Sequence, residues 1–213
     1  MRTDDLIADL AAALTPVRTS APTWLMGLAL CCGVIVASGL MLGWLGLRPD
    51  LGVALRAAPF WMKAAYTLIL VLFGFFLVER TGRPGARLTP LRCLVFVSVA
   101  VIAVVGGLQT LGTPPALRWS MFLGESSAVC PWFIVALSIP ILVAVLLSLR
   151  RMAPTRLVLS GAVAGLLAGA AGASVYGLHC TESSALFVAF WYTLGIAVTT
   201  ALGALCGRFA LRW

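Results

Sequence analysis

Ser160–Gly177 reads SGAVAGLLAGAAGASVYG, and it holds no charged residue. It is the body of an apolar run from 157 to 178. As a helix rising about 1.5 Å per residue, such a run is long enough to cross a hydrocarbon core of about 30 Å. Backbone groups in lipid must be paired within the segment, which favours helix. Gly161, Gly165 and Gly169 recur every four residues and Gly172 follows three later. Small residues on one seam let helices approach closely. The seam predicts tight packing inside a bundle. It also offers a route to a homo-oligomer through Gly161, Gly165 and Gly169.

Outward from this run lie five more: 24–47, 60–78, 91–111, 129–149 and 185–206. Proline and glycine mark the joins at Pro49, Pro84, Pro114 and Pro154, and Pro140 inside the fourth run predicts a kink. The chain of 213 residues is 62% hydrophobic and 10% charged, with a mean hydropathy of +1.07. A soluble domain carries about 25% charged residues, so a water-facing surface cannot be built from this composition. The expected fold class is all-α: a polytopic membrane protein with a bundle of six transmembrane helices over 24–213. A short amphipathic helix precedes it in a cytoplasmic arm, 1–23. No cleavable signal segment is expected, because the first apolar run begins only near Trp24.

The net charge of +8 raises the question of nucleic acid, but the basic residues are scattered at the ends of apolar runs. That pattern reads as topology, and no direct nucleic-acid contact is expected. One side gathers Arg2, Arg18, Arg80, Arg83, Arg87, Arg92, Arg150, Arg151, Arg156, Arg208 and Arg212. The other holds only Arg48, Arg56, Lys63 and Arg118. The excess of cations on the cytoplasmic side predicts a multi-pass protein of the bacterial inner membrane with both termini in the cytoplasm.

Two similar stretches then fall on the outer face: GESSAVCPWF, Gly124–Phe133, and LHCTESSALF, Leu178–Phe187. Cys130 starts the fourth run and Cys180 follows the fifth, on the side that is oxidising for a bacterial inner membrane. Three readings fit this pair. A disulfide needs Cα atoms roughly 4.4–6.8 Å apart. A soft-metal site would join both thiolates to His179, the only histidine, with Glu125 or Glu182. In the third reading the cysteines simply pack at helix ends. Ser126, Ser127, Ser183 and Ser184 all suit the N-cap of a following helix.

In the arm, TDDLIADLAAALTP places Leu6, Ile7, Leu10 and Leu14 at helical spacing, with Asp4, Asp5 and Asp9 largely elsewhere. The helix is expected over residues 3–15. Thr3 suits its N-cap, the aspartates suit its positive end, and Pro16 stops it. A helix this short is marginal alone in water. A membrane-surface helix would be basic; this one is acidic. It fits a groove on a basic cytosolic protein, or else it packs on its own bundle.

The runs hold almost no ionisable group near mid-membrane, where transporters keep theirs. There is no Ser–His–Asp set, no HExxH and no phosphate-binding glycine loop. No enzyme is expected and no cofactor is required. A small transporter or metal-handling membrane protein stands as the alternative reading.

Taken together, the opening MRTDDLIADLAAALTPVR, the six runs, Cys130 in CPWF and the LHCTESS element resemble the NrsF-like negative regulators of sigma-F. These are six-span bacterial membrane anti-sigma factors. The resemblance implies a partner, an extracytoplasmic-function sigma factor, held at the membrane and released on a heavy-metal or oxidative stress signal. It implies that Cys130 and Cys180 take part in signalling, with a regulatory heavy-metal ion as one candidate signal. It turns Asp4, Asp5, Leu6, Ile7, Asp9, Leu10 and Leu14 into the expected sigma-factor-binding face.

Overall fold

The computed structural model describes residues 3–12, 21–82, 89–152 and 154–212. Every secondary-structure element among them is a helix. An arm helix, α1 (Thr3–Ala12), is followed by α2 (Ala21–Trp44), the short α3 (Leu51–Ala54), α4 (Ala58–Thr81) and α5 (Thr89–Leu111). Then come α6 (Pro115–Leu123), α7 (Cys130–Arg150), α8 (Leu157–Tyr176), α9 (Ala185–Phe187) and α10 (Thr193–Ala210). A π-helical turn, Val188–Tyr192, joins α9 to α10 without a break. Six of these stretches are long and apolar enough to cross a membrane: Thr23–Trp44, Ala58–Thr81, Thr89–Leu111, Cys130–Arg150, Leu157–Tyr176 and Ala185–Ala210. They match the six apolar runs of the sequence to within a few residues. Pro140 lies inside α7, which runs through it uninterrupted.

The centre of the bundle is α8, which packs on α10, α7 and α4, while α2 packs on α7. Glycine decides the closest of these contacts. A Cβ at Gly161 would run into the Gly203 carbonyl, and one at Gly165 into the Thr199 carbonyl. From the other side, a Cβ at Gly203 would meet the Gly161 carbonyl, and one at Gly207 would lie 2.6 Å from the Gly161 Cα. The two backbones therefore touch along a glycine seam, as small-residue packing allows. This corrects the expectation of a homo-oligomer through Gly161, Gly165 and Gly169, because the chain's own α10 fills that seam.

The arm helix is described from Thr3 to Ala12. Leu14 and the stop at Pro16 lie outside the described residues.

Candidate functional site

The segment between α8 and α9, Leu178–Ser184, is short, and four other parts of the chain hold it or the helix entry that follows it. The His179 Nδ1–H donates to the Gly46 carbonyl at 3.0 Å. The Arg48 backbone N–H donates to the Leu178 carbonyl at 3.3 Å. Arg48 Nη1 and Lys63 Nζ both donate to the Cys180 carbonyl, at 3.2 and 2.8 Å. Lys63 reaches the Glu182 carbonyl as well, at 3.3 Å. The Glu182 carboxylate accepts the Glu125 backbone N–H at 2.7 Å and the Ser126 hydroxyl at 3.4 Å. At the entry to α9, the Ala185 N–H donates to Gln109 Oε1 at 2.8 Å, and the Ser184 hydroxyl accepts the Phe187 N–H. Gly46 and Arg48 follow α2, Lys63 belongs to α4, Gln109 to α5, and Glu125 precedes α7. Every long apolar helix thus reaches this loop directly or through the turn at its end.

The two Glu-Ser-Ser-Ala stretches have different tasks. In the second, Ser184 caps the following helix. In the first, α7 has no side-chain cap; the Ser126 carbonyl instead accepts the Cys130 N–H at 2.8 Å. Gly124 sits at φ +54 with the Glu182 carboxylate pressed where a side chain would begin. Glycine tolerates both that dihedral and that approach.

Beneath the loop lie the thiols. Cys130 is the first residue of α7 and is fully buried; Cys180 is 3% exposed. Both are free thiols and share one buried cluster with Tyr176, Phe187 and Tyr192. The Tyr176 hydroxyl lies beside Cys130, and the Tyr192 hydroxyl lies beside Cys180. Tyr192 is wholly buried, and its oxygen is short of hydrogen-bond geometry with any partner among the described residues. The other four cysteines, Cys31, Cys32, Cys93 and Cys206, are exposed on the helices.

Arg48, Asp50 and Lys63 lie at the same end. Arg48 grips Asp50 with two bonds of 2.7 Å. That hydrogen bonding holds the Asp50 carboxyl below its ordinary range and raises the Arg48 guanidinium above its own. Lys63 is 3% exposed and lies 5.7 Å from the centre of the Tyr192 ring. It makes no ion pair among the described residues.

The sequence-derived candidates divide accordingly. Cys130 and Cys180 come together. His179 turns to Gly46 and Glu182 to the Glu125 amide, while Glu125 itself is exposed. Among the described residues no three His, Cys, Asp or Glu side chains gather as a metal-binding group. In the arm, Asp4, Asp5 and Ile7 are exposed on α1. The side chains of Leu6, Asp9 and Leu10, and all of Leu14, lie outside the described residues. Sequence reasoning missed Arg48, Lys63 and Tyr192. One signal was available for Lys63: it is the chain's only lysine, within an apolar run.

Fold and site define a class: an all-helical chain with six helices long and apolar enough to cross a membrane, and a buried thiol pair latched at one end. The family model described as "Negative regulator of sigma F", NrsF, matches residues 10–213. The chain is 39% identical over 213 residues to the "Probable anti-sigma-F factor NrsF" of Azospira oryzae, covering 100% of each chain. It is 40% identical over 216 residues to the "Anti-sigma-F factor NrsF" of Caulobacter vibrioides, again over 100% of each. This chain belongs to the NrsF family of negative regulators of sigma F. Both relatives are named as regulators rather than enzymes. No solved structure matches the chain.

Proposed function

We propose that this protein is an anti-sigma factor embedded in the bacterial inner membrane, both termini in the cytoplasm. Its arm sequesters an extracytoplasmic-function sigma factor. A thiol-reactive signal from the periplasm, a soft heavy-metal ion or an oxidant, acts on Cys130 and Cys180 and releases it. The excess of arginine on one side of the six helices supports the orientation. The names of the relatives support the partner.

The observation that carries the reading is where the two working parts attach to α2. In sequence the arm immediately precedes this helix. Gly46, two residues beyond its end, takes the hydrogen bond of His179, the neighbour of Cys180. The 24 residues of α2 rise about 36 Å, enough for a hydrocarbon core of about 30 Å. A single helix thus separates, along the chain, the latch over the thiols from the arm segment, which supports the proposed route. A reaction at the thiols that fits the latched packing worse than the released one shifts the bundle between them. Tenfold weaker retention of the sigma factor needs only about 1.4 kcal/mol of such difference.

Replacing Leu6 and Leu10 together by Asp tests the arm. A sigma-dependent reporter should rise without stress to the level of a strain lacking the protein. Unchanged repression, with normal amounts of the variant in the membrane, would remove the arm from the proposal.

A further inference from the structure

Lys63 presents a physical problem. A buried ammonium is stable only when opposite charge or well-placed dipoles replace its water. Around Lys63 stand the Cys180 and Glu182 carbonyls, the Tyr192 ring and two thiols. The Glu182 carboxylate is turned to the Glu125 amide and acts on Lys63 only through space. Tyr192 is a second unfilled demand. Its hydroxyl is fully buried, lies beside Cys180 and has no partner among the described residues. A donor without an acceptor and a cation without an ion pair face the same residue. An anionic sulfur at Cys180 would satisfy both.

Cys130 has a rival claim, because it opens α7 and a helix N-terminus also favours a thiolate. That end is worth about half an elementary charge. At Cys180 two full cations, Lys63 and Arg48, meet on the residue's own carbonyl oxygen. We infer that the pair is unequal: Cys180 is the thiol that reacts first with a thiol-reactive signal, Lys63 is the counter-ion of its sulfur, and Tyr192 donates a hydrogen bond to it. Cys130 is the second thiol. This assignment rests on the proposed sensing role of the pair and adds an order to it.

The test is the rate at which iodoacetamide alkylates each cysteine of the full-length protein in lipid nanodiscs, followed by mass spectrometry. Each sulfur displaces iodide and forms an S–C bond. Cys180 should be modified about tenfold faster than Cys130, as the sulfur with the larger thiolate fraction. Lys63→Met should slow Cys180 by about tenfold, and Lys63→Arg should restore most of the rate. The sign separates this role from a merely structural one. A lysine that only fastened the loop would, when lost, expose Cys180 and speed its alkylation. Should Lys63→Met fail to fold, Tyr192→Phe carries the test, because it removes one hydroxyl and keeps the ring that fills the core. It should slow Cys180 by about threefold or more. Equal rates at the two cysteines would overturn the inference, as would a Cys180 rate unchanged or raised in Lys63→Met, or unchanged in Tyr192→Phe. No sigma factor enters the assay. If the rates behave as expected but thiol modification leaves a bound sigma factor in place, the sensing role fails and the inequality of the thiols stands.

Discussion

Two helices of the bundle, α5 and α8, differ in a way that runs against intuition. Both are strongly apolar, yet only 11% of the apolar stretch of α5 is buried, against 72% for α8. The outward face of α5 carries bulk such as Phe96, Val101, Val104 and Leu108. The buried face of α8 carries glycine and alanine. In water the order would reverse, because apolar bulk would seek the core. In the lipid setting proposed for this chain, bulk is satisfied on either side, and backbone proximity decides which helix goes to the centre. Apolar content selects the helices that leave water; side-chain size ranks them within the bundle.

The largest expected effect breaks that ranking directly. Gly165→Leu would force a side chain into the Thr199 carbonyl and the Thr200 backbone. Overpacking against a backbone costs about 3 kcal/mol or more, so thermal denaturation in detergent should show a collapse of Tm or loss of folded protein. Val104→Ala on exposed α5 is its foil and should change stability by less than about 0.5 kcal/mol. Equal losses in the two variants would contradict the ranking by size.

A smaller effect sharpens the comparison at the end where both helices meet the Leu178–Ser184 loop. The Arg48 hydrogen bonds depress the folded Asp50 carboxyl. The stability they supply is present above the ordinary carboxylate range and is lost as pH falls through the depressed value. Asp50 is exposed, so the gain is modest. Tm against pH should show the wild type slightly above Asp50→Asn at neutral pH, with the gap closing in acid. A gap that widens in acid would reverse the sign.

Much of this was legible in the sequence, because hydropathy alone delimits the six long helices. The α8 seam announced a close contact but not its partner: small residues permit approach from any neighbour, and α10 is some 40 residues away in the chain. The thiol pair was legible by position, as the two cysteines at the helix ends opposite most of the arginines. Their surroundings were not. Lys63 meets the Cys180 carbonyl 117 positions along the chain, and Arg48 meets it 132 positions along. A backbone acceptor has no residue type by which to be recognised. The metal-ligand set failed to gather for a related reason. Residue type made His179 and Glu182 candidates, but local geometry turns their polar atoms to backbone groups of neighbouring loops.

The central proposal is that chemistry at Cys130 and Cys180 loosens the hold of the arm. The most direct measurement is the affinity of the full-length protein in nanodiscs for its sigma factor, before and after diamide oxidises the thiols, with cysteine states read by mass spectrometry. Retention should weaken about tenfold or more on oxidation, and neither Cys130→Ser nor Cys180→Ser should show the loss. Wild-type protein that holds the sigma factor just as tightly with both thiols oxidised would contradict the account.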